Sequence, residues 1–340
     1  MSLRLNDYDK IIFDMDGVIT SERAYWQTAA VAAYDLLLSY EYYGTCGIDR
    51  QWCRQQYIEI YNAVLCGGRT VRAVKNLGVN TNWDLLYIVF CVSKYLNPEL
   101  DTLDTAHFQS VCMFIENIDM KAPEVYDALA ELVSPIIPKT EADYFKRGGD
   151  YFWAELVGVF QKWYLGCDEF EGINTDDKLL FDAAAIENVL IKLKNSGIRL
   201  GVGTGRPREE IKLPLSHAGI DKYFDEAMYV CYDDVRDAEE ELKPNHPLAK
   251  PDPFVFLKAV LGEKHSNREI KDGDYTYEEL ERVLVVGDAP SDFIAAKRGG
   301  LDFLGVLTGV DGPSAGKYFE ENDADYILTS ILELEKYLIF

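Results

Sequence analysis

The chain has 340 residues, 48% of them hydrophobic, which is enough apolar material for one large core or two smaller ones. Its formal net charge is −24, from 34 basic and 58 acidic side chains, and no basic run interrupts this acidic balance. An acidic surface repels nucleic acid phosphates and anionic lipids, so we expect no nucleic-acid partner and no membrane partner.

The first predicted element is a strand over residues 9–14, a short run of β-branched and aromatic residues. It ends in Asp14-Met15-Asp16-Gly17, with two carboxylates two residues apart. In extended backbone such side chains project to the same side, so Asp14 and Asp16 can face one reacting atom. Taken alone, the pattern also fits a solvated turn with an acidic cap.

A helical insertion is predicted next. Residues 24–43, 83–95 and 151–164 show helical patterns rich in aromatic and small apolar residues, and convincing strands are few. We therefore predict two domains, a core of residues 1–22 and 180–340, and an inserted helical domain of residues 23–179.

A second strand is predicted at residues 198–204, after a helical pattern at 185–195. It ends at Thr204, followed by Gly205, and a hydroxyl with free backbone N–H groups suits a phosphate oxygen. The glycine spacing does not match a dinucleotide-binding fingerprint, because Arg206 stands where the third glycine belongs. A plain strand-to-helix turn fits this segment equally well.

Two more segments carry candidate site residues. Lys250 precedes a proline-bracketed turn and a predicted helix at 252–261, where a lysine can neutralise a phosphoryl group as a point cation. A third strand, at residues 282–288, ends at Asp288, with Asp292 four residues later. Two such carboxylates can bind a hard cation. The alternatives are an exposed lysine and a helix cap.

Alternation of buried strands with helices predicts an α/β fold with a Rossmann-like, doubly wound parallel sheet. Ligands of such sheets bind beyond the carboxyl ends of the strands, where all four segments place their polar residues. Together these segments contain a nucleophile, an acid/base group, a phosphate ligand, a cation and metal-binding carboxylates.

The four segments, in this order, resemble the motifs of the haloacid dehalogenase superfamily. The insertion between the first and second motifs resembles the helical-cap branch that includes phosphoglycolate phosphatases and β-phosphoglucomutases, although it is larger than is usual there. The matching residues are Asp14, Asp16 and Gly17 in the first motif, Thr204 in the second, Lys250 in the third, and Asp288 with Asp292 in the fourth.

The resemblance implies covalent phosphoryl transfer. Asp14 is expected to be the nucleophile and Asp16 the acid and base. Thr204, Gly205 and Lys250 are expected to bind the phosphate. Mg²⁺ is the expected cofactor, and its expected site comprises Asp14, the backbone carbonyl of Asp16, Asp288, and Asp292 in support.

The implied function is a phosphatase acting on a small-molecule phosphate ester. An aspartate at position 16 disfavours the dehalogenase, phosphonate-cleaving and P-type ATPase branches of the superfamily. A phosphomutase of the β-phosphoglucomutase type is the nearest alternative, and a catalytically silent binding module is another. A homodimer formed through the aromatic-rich helical surface also stays open.

Cysteine usage and hydropathy predict a cytoplasmic location. The seven cysteines are scattered without a C-x-x-C pair, a pattern typical of reduced thiols. The start of the chain turns polar at once and does not resemble a signal peptide. The most apolar run, residues 85–92, is far shorter than the ~20 residues that span a bilayer, so we predict a buried helix there.

Overall fold

The computed structural model describes residues 3–79, 81–137, 142–176, 178–310 and 312–338. The chain divides into a core unit, Met1–Glu22 with Lys178–Phe340, and an inserted unit, Arg23–Asp177. The predicted division after residue 179 differs from this one by two residues.

The boundary differs because the returning chain pairs with the segment by which it leaves the core unit. The Ser21 N–H donates to the Lys178 carbonyl at 2.9 Å. Thr20 and Leu179 form an antiparallel bridge beside this bond. Residues 178 and 179 therefore belong to the core unit, which corrects the predicted boundary.

Six of the strands form one parallel sheet, in the order β5-β4-β1-β6-β7-β8. Because β1 lies in the middle, the chain adds strands on both sides of it, which confirms the predicted doubly wound fold. β2 and β3 form a separate antiparallel pair in the inserted unit. The strands among the described residues are β1 (Lys10–Phe13), β2 (Gly166–Cys167), β3 (Phe170–Glu171), β4 (Arg199–Gly203), β5 (Tyr229–Val230), β6 (Val283–Gly287), β7 (Asp302–Val306) and β8 (Tyr326–Leu328).

Helices α1 to α8 belong to the inserted unit, and α9 to α15 belong to the core unit. In the described part of the chain they are α1 (Arg23–Leu38), α2 (Arg50–Gln55), α3 (Tyr57–Val64), α4 (Arg69–Asn76), α5 (Asn82–Leu96), α6 (Thr105–Glu116), α7 (Glu124–Val133), α8 (Phe152–Leu165), α9 (Ala183–Asn195), α10 (Arg208–His217), α11 (Tyr232–Leu242), α12 (Phe254–Leu261), α13 (Asn267–Asp272), α14 (Pro290–Arg298) and α15 (Gly312–Glu321).

Helices cover both faces of the sheet because successive side chains of β1 enter different hydrophobic clusters. Ile11 and Phe13 share a cluster with Leu190 of α9. Ile12 packs in a second cluster with Phe256 of α12. Side chains alternate between the two faces of a strand, so a strand buried on both faces is apolar throughout. The unbroken apolar run that follows Lys10 therefore suits β1 to the middle of the sheet, where both faces of the strand are buried.

The inserted unit has a helical core of its own. Residues 85–92 lie within α5 and are all buried, as predicted. Helix α1 packs against α3, α5 and α8, and the rings of Tyr25 and Tyr164 stack with centroids 4.7 Å apart. The prediction extended α1 to residue 43, but the chain turns back after Leu38. Gly44 comes so close that a Cβ there would lie 2.0 Å from the Leu38 carbonyl carbon.

Lys94 is a buried cation of the inserted unit, and its environment predicts a pH effect on stability. It is 2% exposed, and its ammonium donates to three backbone carbonyls. Burial lowers the pKa of Lys94 from 10.5 to about 8. Between these two values the unfolded chain binds more protons than the folded chain, so stability rises with pH.

We therefore expect the unfolding free energy of the wild type to increase relative to that of Lys94→Met as the pH rises from about 8 to about 10. Urea unfolding of both proteins at several pH values measures this difference. A difference that stays constant across this window would contradict the assignment.

Among the residues that the structure describes, no helix has the length and apolar character needed to cross a membrane. All seven cysteines are free thiols. A cytoplasmic location stays a prediction.

Candidate active site

Asp14 follows β1 directly and is nearly buried at the carboxyl end of the sheet. Its N–H donates to the Val286 carbonyl at 2.8 Å, which extends the pairing of β1 with β6 by one residue. Burial raises the pKa of Asp14 to about 7, although Lys250 opposes the rise. The nearby charges of Asp292 and Asp16 contribute to this rise in the pKa. An additional cation beside Asp14 would favour its ionised form.

Lys250 lies between two buried carboxylates. Its Nζ is 2.7 Å from Asp14 Oδ1 and 2.8 Å from Asp292 Oδ1. The ammonium also lies 4.8 Å from the centre of the Phe256 ring. Burial by itself lowers the pKa of Lys250, but the two carboxylates outweigh this effect and raise it. Lys250 is therefore a fixed positive charge next to Asp14.

Asp288 and Asp292 complete a cluster of carboxylates. Asp292, in the first turn of α14, accepts the Ala289 N–H at 3.1 Å, which holds its side chain in place. Buried carboxylate oxygens of Asp14, Asp288 and Asp292 lie within 4.8 Å of one another. The Lys250 ammonium contacts two of these three carboxylates, those of Asp14 and Asp292. Such an oxygen donor set fits a hard divalent cation.

Two glycines make room for the Asp288 carboxylate. A Cβ on Gly17 would lie 2.4 Å from Asp288 Oδ2, and the φ of Gly17 is +78°. A Cβ on Gly309 would lie 1.7 Å from the same oxygen. The backbone at both positions therefore approaches Asp288 more closely than any side chain permits.

Thr204 and Gly205 lie at the carboxyl end of β4, the strand next to β1. Thr204 is 1% exposed, and its Oγ1 accepts the Arg206 N–H at 3.3 Å. Gly205 is exposed, with nothing within 4 Å of a Cβ built on it. A backbone N–H at this open position suits a phosphate oxygen, as the sequence predicts.

Asp16 contacts a different set of residues. Its Oδ1 accepts the Thr20 hydroxyl at 3.0 Å and lies 3.1 Å from the Arg206 guanidinium. The Arg206 side chain is 3% exposed, whereas that of Asp16 is 24% exposed. The carboxylate of Asp16 is thus held beside the cluster formed by Asp14, Asp288 and Asp292, and it is not one of its members.

The structure brings four of the predicted residues into direct proximity, namely Asp14, Lys250, Asp288 and Asp292. Asp16, Thr204 and Gly205 lie at the same edge of the sheet, on strand ends next to one another. Their roles in catalysis stay predictions. This edge therefore holds every residue that the sequence selects.

Three further residues of the site were not selected from the sequence. Arg206 and Thr20 hold Asp16, and the Thr308 hydroxyl donates to the Gly17 carbonyl. Arg206 has a visible signal, since it comes two residues after Thr204 at a strand end. Thr20 and Thr308 show no comparable signal.

The amino-acid sequence matches the haloacid dehalogenase-like hydrolase family over residues 8–300. A pyrophosphatase PpaX of Bacillus velezensis is 26% identical over 174 residues, which cover 49% of this chain and 67% of that protein. A pyrophosphatase PpaX of Bacillus cereus is 24% identical over 226 residues, which cover 66% of this chain and 86% of that protein.

A solved structure is similar to this chain almost from end to end. It is an X-ray structure from the Northeast Structural Genomics Consortium, 26% identical, with a TM-score of 0.77. The match covers 96% of this chain and 97% of that chain, so it includes the inserted helical unit. The comparisons confirm the predicted family and the predicted phosphohydrolase class. This chain belongs to the haloacid dehalogenase-like hydrolase family.

Proposed function

We propose that this chain is a Mg²⁺-dependent phosphatase that hydrolyses a small phosphomonoester through an aspartyl-phosphate on Asp14. The observation that carries the proposal is the buried carboxylate cluster around Lys250. An anionic nucleophile must approach an anionic phosphate, so positive charge must be fixed beside it in advance. The cluster contains one such charge and has the donors for a divalent cation.

The residues present fit Mg²⁺, which prefers one or two protein carboxylates together with phosphate oxygens and water. Asp14 and Asp288 would hold the ion through carboxylate oxygens, and Asp16 would hold it through its backbone carbonyl. Asp292 suits a supporting role, because one of its oxygens contacts Lys250 and the other accepts the Ala289 N–H. When bound, the ion supplies electrostatic stabilisation of the charge on the transferring phosphoryl group.

In the first step, an oxygen of the Asp14 carboxylate attacks phosphorus and the bond to the ester oxygen breaks. Asp16 donates a proton to the departing oxygen. Thr204 and the Gly205 N–H hold phosphate oxygens, and Lys250 neutralises their charge. After this step the phosphoryl group is bound to Asp14, and Asp16 is ionised.

In the second step, ionised Asp16 takes a proton from a water molecule as the water oxygen attacks phosphorus. The bond between phosphorus and Asp14 breaks, inorganic phosphate leaves, and Asp14 regains its carboxylate. Asp16 ends the cycle protonated, ready to serve as the acid again. A single residue thus acts first as acid and then as base.

Two alternatives predict different products. A phosphomutase transfers the phosphoryl group to a second substrate hydroxyl and gives an isomerised product in the presence of a bisphosphate. A silent binding module gives neither product. The intact site disfavours a silent module, because Asp14, Lys250, Asp288 and Asp292 still lie close together.

Pyrophosphate is a second candidate substrate, favoured by the names of both curated relatives. It carries a phosphoryl group on a small anionic leaving group, so the same two steps apply to it. The identity of 24–26% makes it one member of the substrate panel rather than the expected best substrate.

The proposal is tested by measuring phosphate release from small phosphomonoesters and pyrophosphate, with Mg²⁺ and with a chelator. We expect release from at least one small ester, and loss of release in the chelator. Sugar phosphates are also tested with a bisphosphate, and the products are checked for isomerisation. Isomerisation without release would replace the phosphatase by the mutase, and inactivity on every compound would contradict both.

Gly309→Ala is expected to weaken Mg²⁺ binding by roughly tenfold or more, because its Cβ displaces the Asp288 carboxylate. Calorimetric titration of the substrate-free protein with Mg²⁺ measures the affinity. Gly158→Ala, in α8, is the matched control, since nothing lies within 4 Å of a Cβ there. Equal affinity of Gly309→Ala and the wild type would contradict the role of Asp288.

A further inference from the structure

We propose that Arg206 is a positioning residue that holds the carboxylate of Asp16 for proton transfer. The inference rests on the proposed function, in which Asp16 protonates the leaving oxygen. An acid has to reach that oxygen at hydrogen-bond distance, and a side chain on a turn loses this geometry when it rotates. Asp16 therefore needs a fixed partner.

Arg206 and Thr20 form such a partner. The Arg206 guanidinium donates to Asp16 Oδ1 at 3.1 Å and to Thr20 Oγ1 at 3.5 Å. The Thr20 hydroxyl donates to the same Asp16 oxygen at 3.0 Å. The three groups form a closed triangle of hydrogen bonds with Asp16 Oδ1 at one corner, which fixes the orientation of the carboxylate.

The backbone of Arg206 is fixed from both sides. Its N–H donates to Thr204 Oγ1, and its carbonyl accepts the Tyr232 N–H at 3.0 Å. The guanidinium is nearly buried, so water competes little for its bonds. Arg206 therefore links two parts of the proposed site, the phosphate-binding turn at Thr204 and the carboxylate of Asp16. It sets the distance between them.

This role predicts an effect that depends on the leaving group. A p-nitrophenolate ion departs without a proton, whereas an alkoxide needs one, so only alkyl esters depend on a well-placed acid. The value of kcat/KM reports the steps up to departure of the leaving group and isolates this difference. A residue that binds phosphate, or that only stabilises the fold, affects both esters equally.

The experiment compares kcat/KM for p-nitrophenyl phosphate and for an alkyl phosphate that the wild type hydrolyses. We expect Arg206→Met to lower the value for the alkyl ester by roughly tenfold to a hundredfold more than the value for the aryl ester. Arg206→Lys, which keeps the buried charge, gives a smaller change in the same direction and serves if the methionine variant does not fold. In an Asp16→Asn background, Arg206→Met is expected to add little, because both act on one step.

Arg208→Met is the matched control, since Arg208 is the first residue of α10 and pairs with Glu226 and Asp234 rather than with Asp16. It is expected to leave the ratio of the two kcat/KM values unchanged. Equal losses for the two esters in Arg206→Met and Arg206→Lys, or additive losses with Asp16→Asn, would overturn the positioning role alone. If the wild type hydrolyses neither ester, that result would contradict the proposed phosphatase function, and the positioning role of Arg206 would fall with it.

Discussion

Asp14→Asn is expected to lower phosphate release by on the order of 10⁴-fold or more while the protein stays folded. The neutral amide has no anionic oxygen with which to attack phosphorus, so the covalent step is lost. The fold tolerates the change because burial already disfavours the charged form of Asp14, as its raised pKa of about 7 indicates. Lys250 also keeps its contact with Asp292.

The measurement pairs phosphate release on the best substrate with a thermal melt of each protein. Asp9→Asn is the control, because Asp9 precedes β1 and its side chain is 63% exposed. We expect the control to keep full activity. Release by Asp14→Asn at a rate near that of the wild type would show that Asp14 is not the nucleophile.

Lys250→Met is expected to destabilise the metal-free protein by about 3–5 kcal/mol, because it leaves two buried carboxylates without their shared cation. It is also expected to lower kcat by about 10²-fold or more, since a fixed positive charge beside the phosphoryl group is lost. Added Mg²⁺ should restore part of the stability, because an ion that binds only the folded state stabilises it.

Urea unfolding in chelator and in Mg²⁺ measures both effects on stability. Lys258→Met is the matched control, because Lys258 lies on α12 and contacts Asn267 rather than the carboxylate cluster. An unfolding free energy of Lys250→Met equal to that of the wild type would contradict the bridging role seen between Asp14 and Asp292.

The carboxylate cluster was predictable because each of its residues follows a recognisable signal. Asp14 and Asp288 come directly after the apolar runs of β1 and β6, and parallel strands present their carboxyl ends at one edge. Lys250 shortly precedes the start of α12, and Asp292 lies in the first turn of α14. Short-range patterns thus supplied four residues that lie far apart in the chain.

Other strands were harder to predict. β5 and β8 have two and three residues, too few to show a periodic pattern. β7 begins with exposed Asp302 and contains Gly305, which is needed because a Cβ there would meet the ring of Phe319 at 2.5 Å. These strands depend on pairing with neighbours already in the sheet, and local sequence does not encode that pairing.

The pairing of Arg206 with Asp16 was also out of reach of the sequence. The two residues are 190 positions apart, and many arginines of this chain pair with surface carboxylates. Only the parallel pairing of β1 with β4 brings these two strand ends side by side. A sequence pattern can show that Arg206 follows a strand, but its partner depends on the strand order.

Trapping of the phosphorylated enzyme tests the central claim most directly. The wild type is mixed with its best substrate and Mg²⁺, quenched rapidly in acid, and analysed by peptide mass spectrometry. We predict one phosphoryl group on the peptide that contains Asp14, and none on the same peptide of Asp14→Asn. An active wild type whose phosphoryl group is found on another residue, or on no residue at all, would contradict the account.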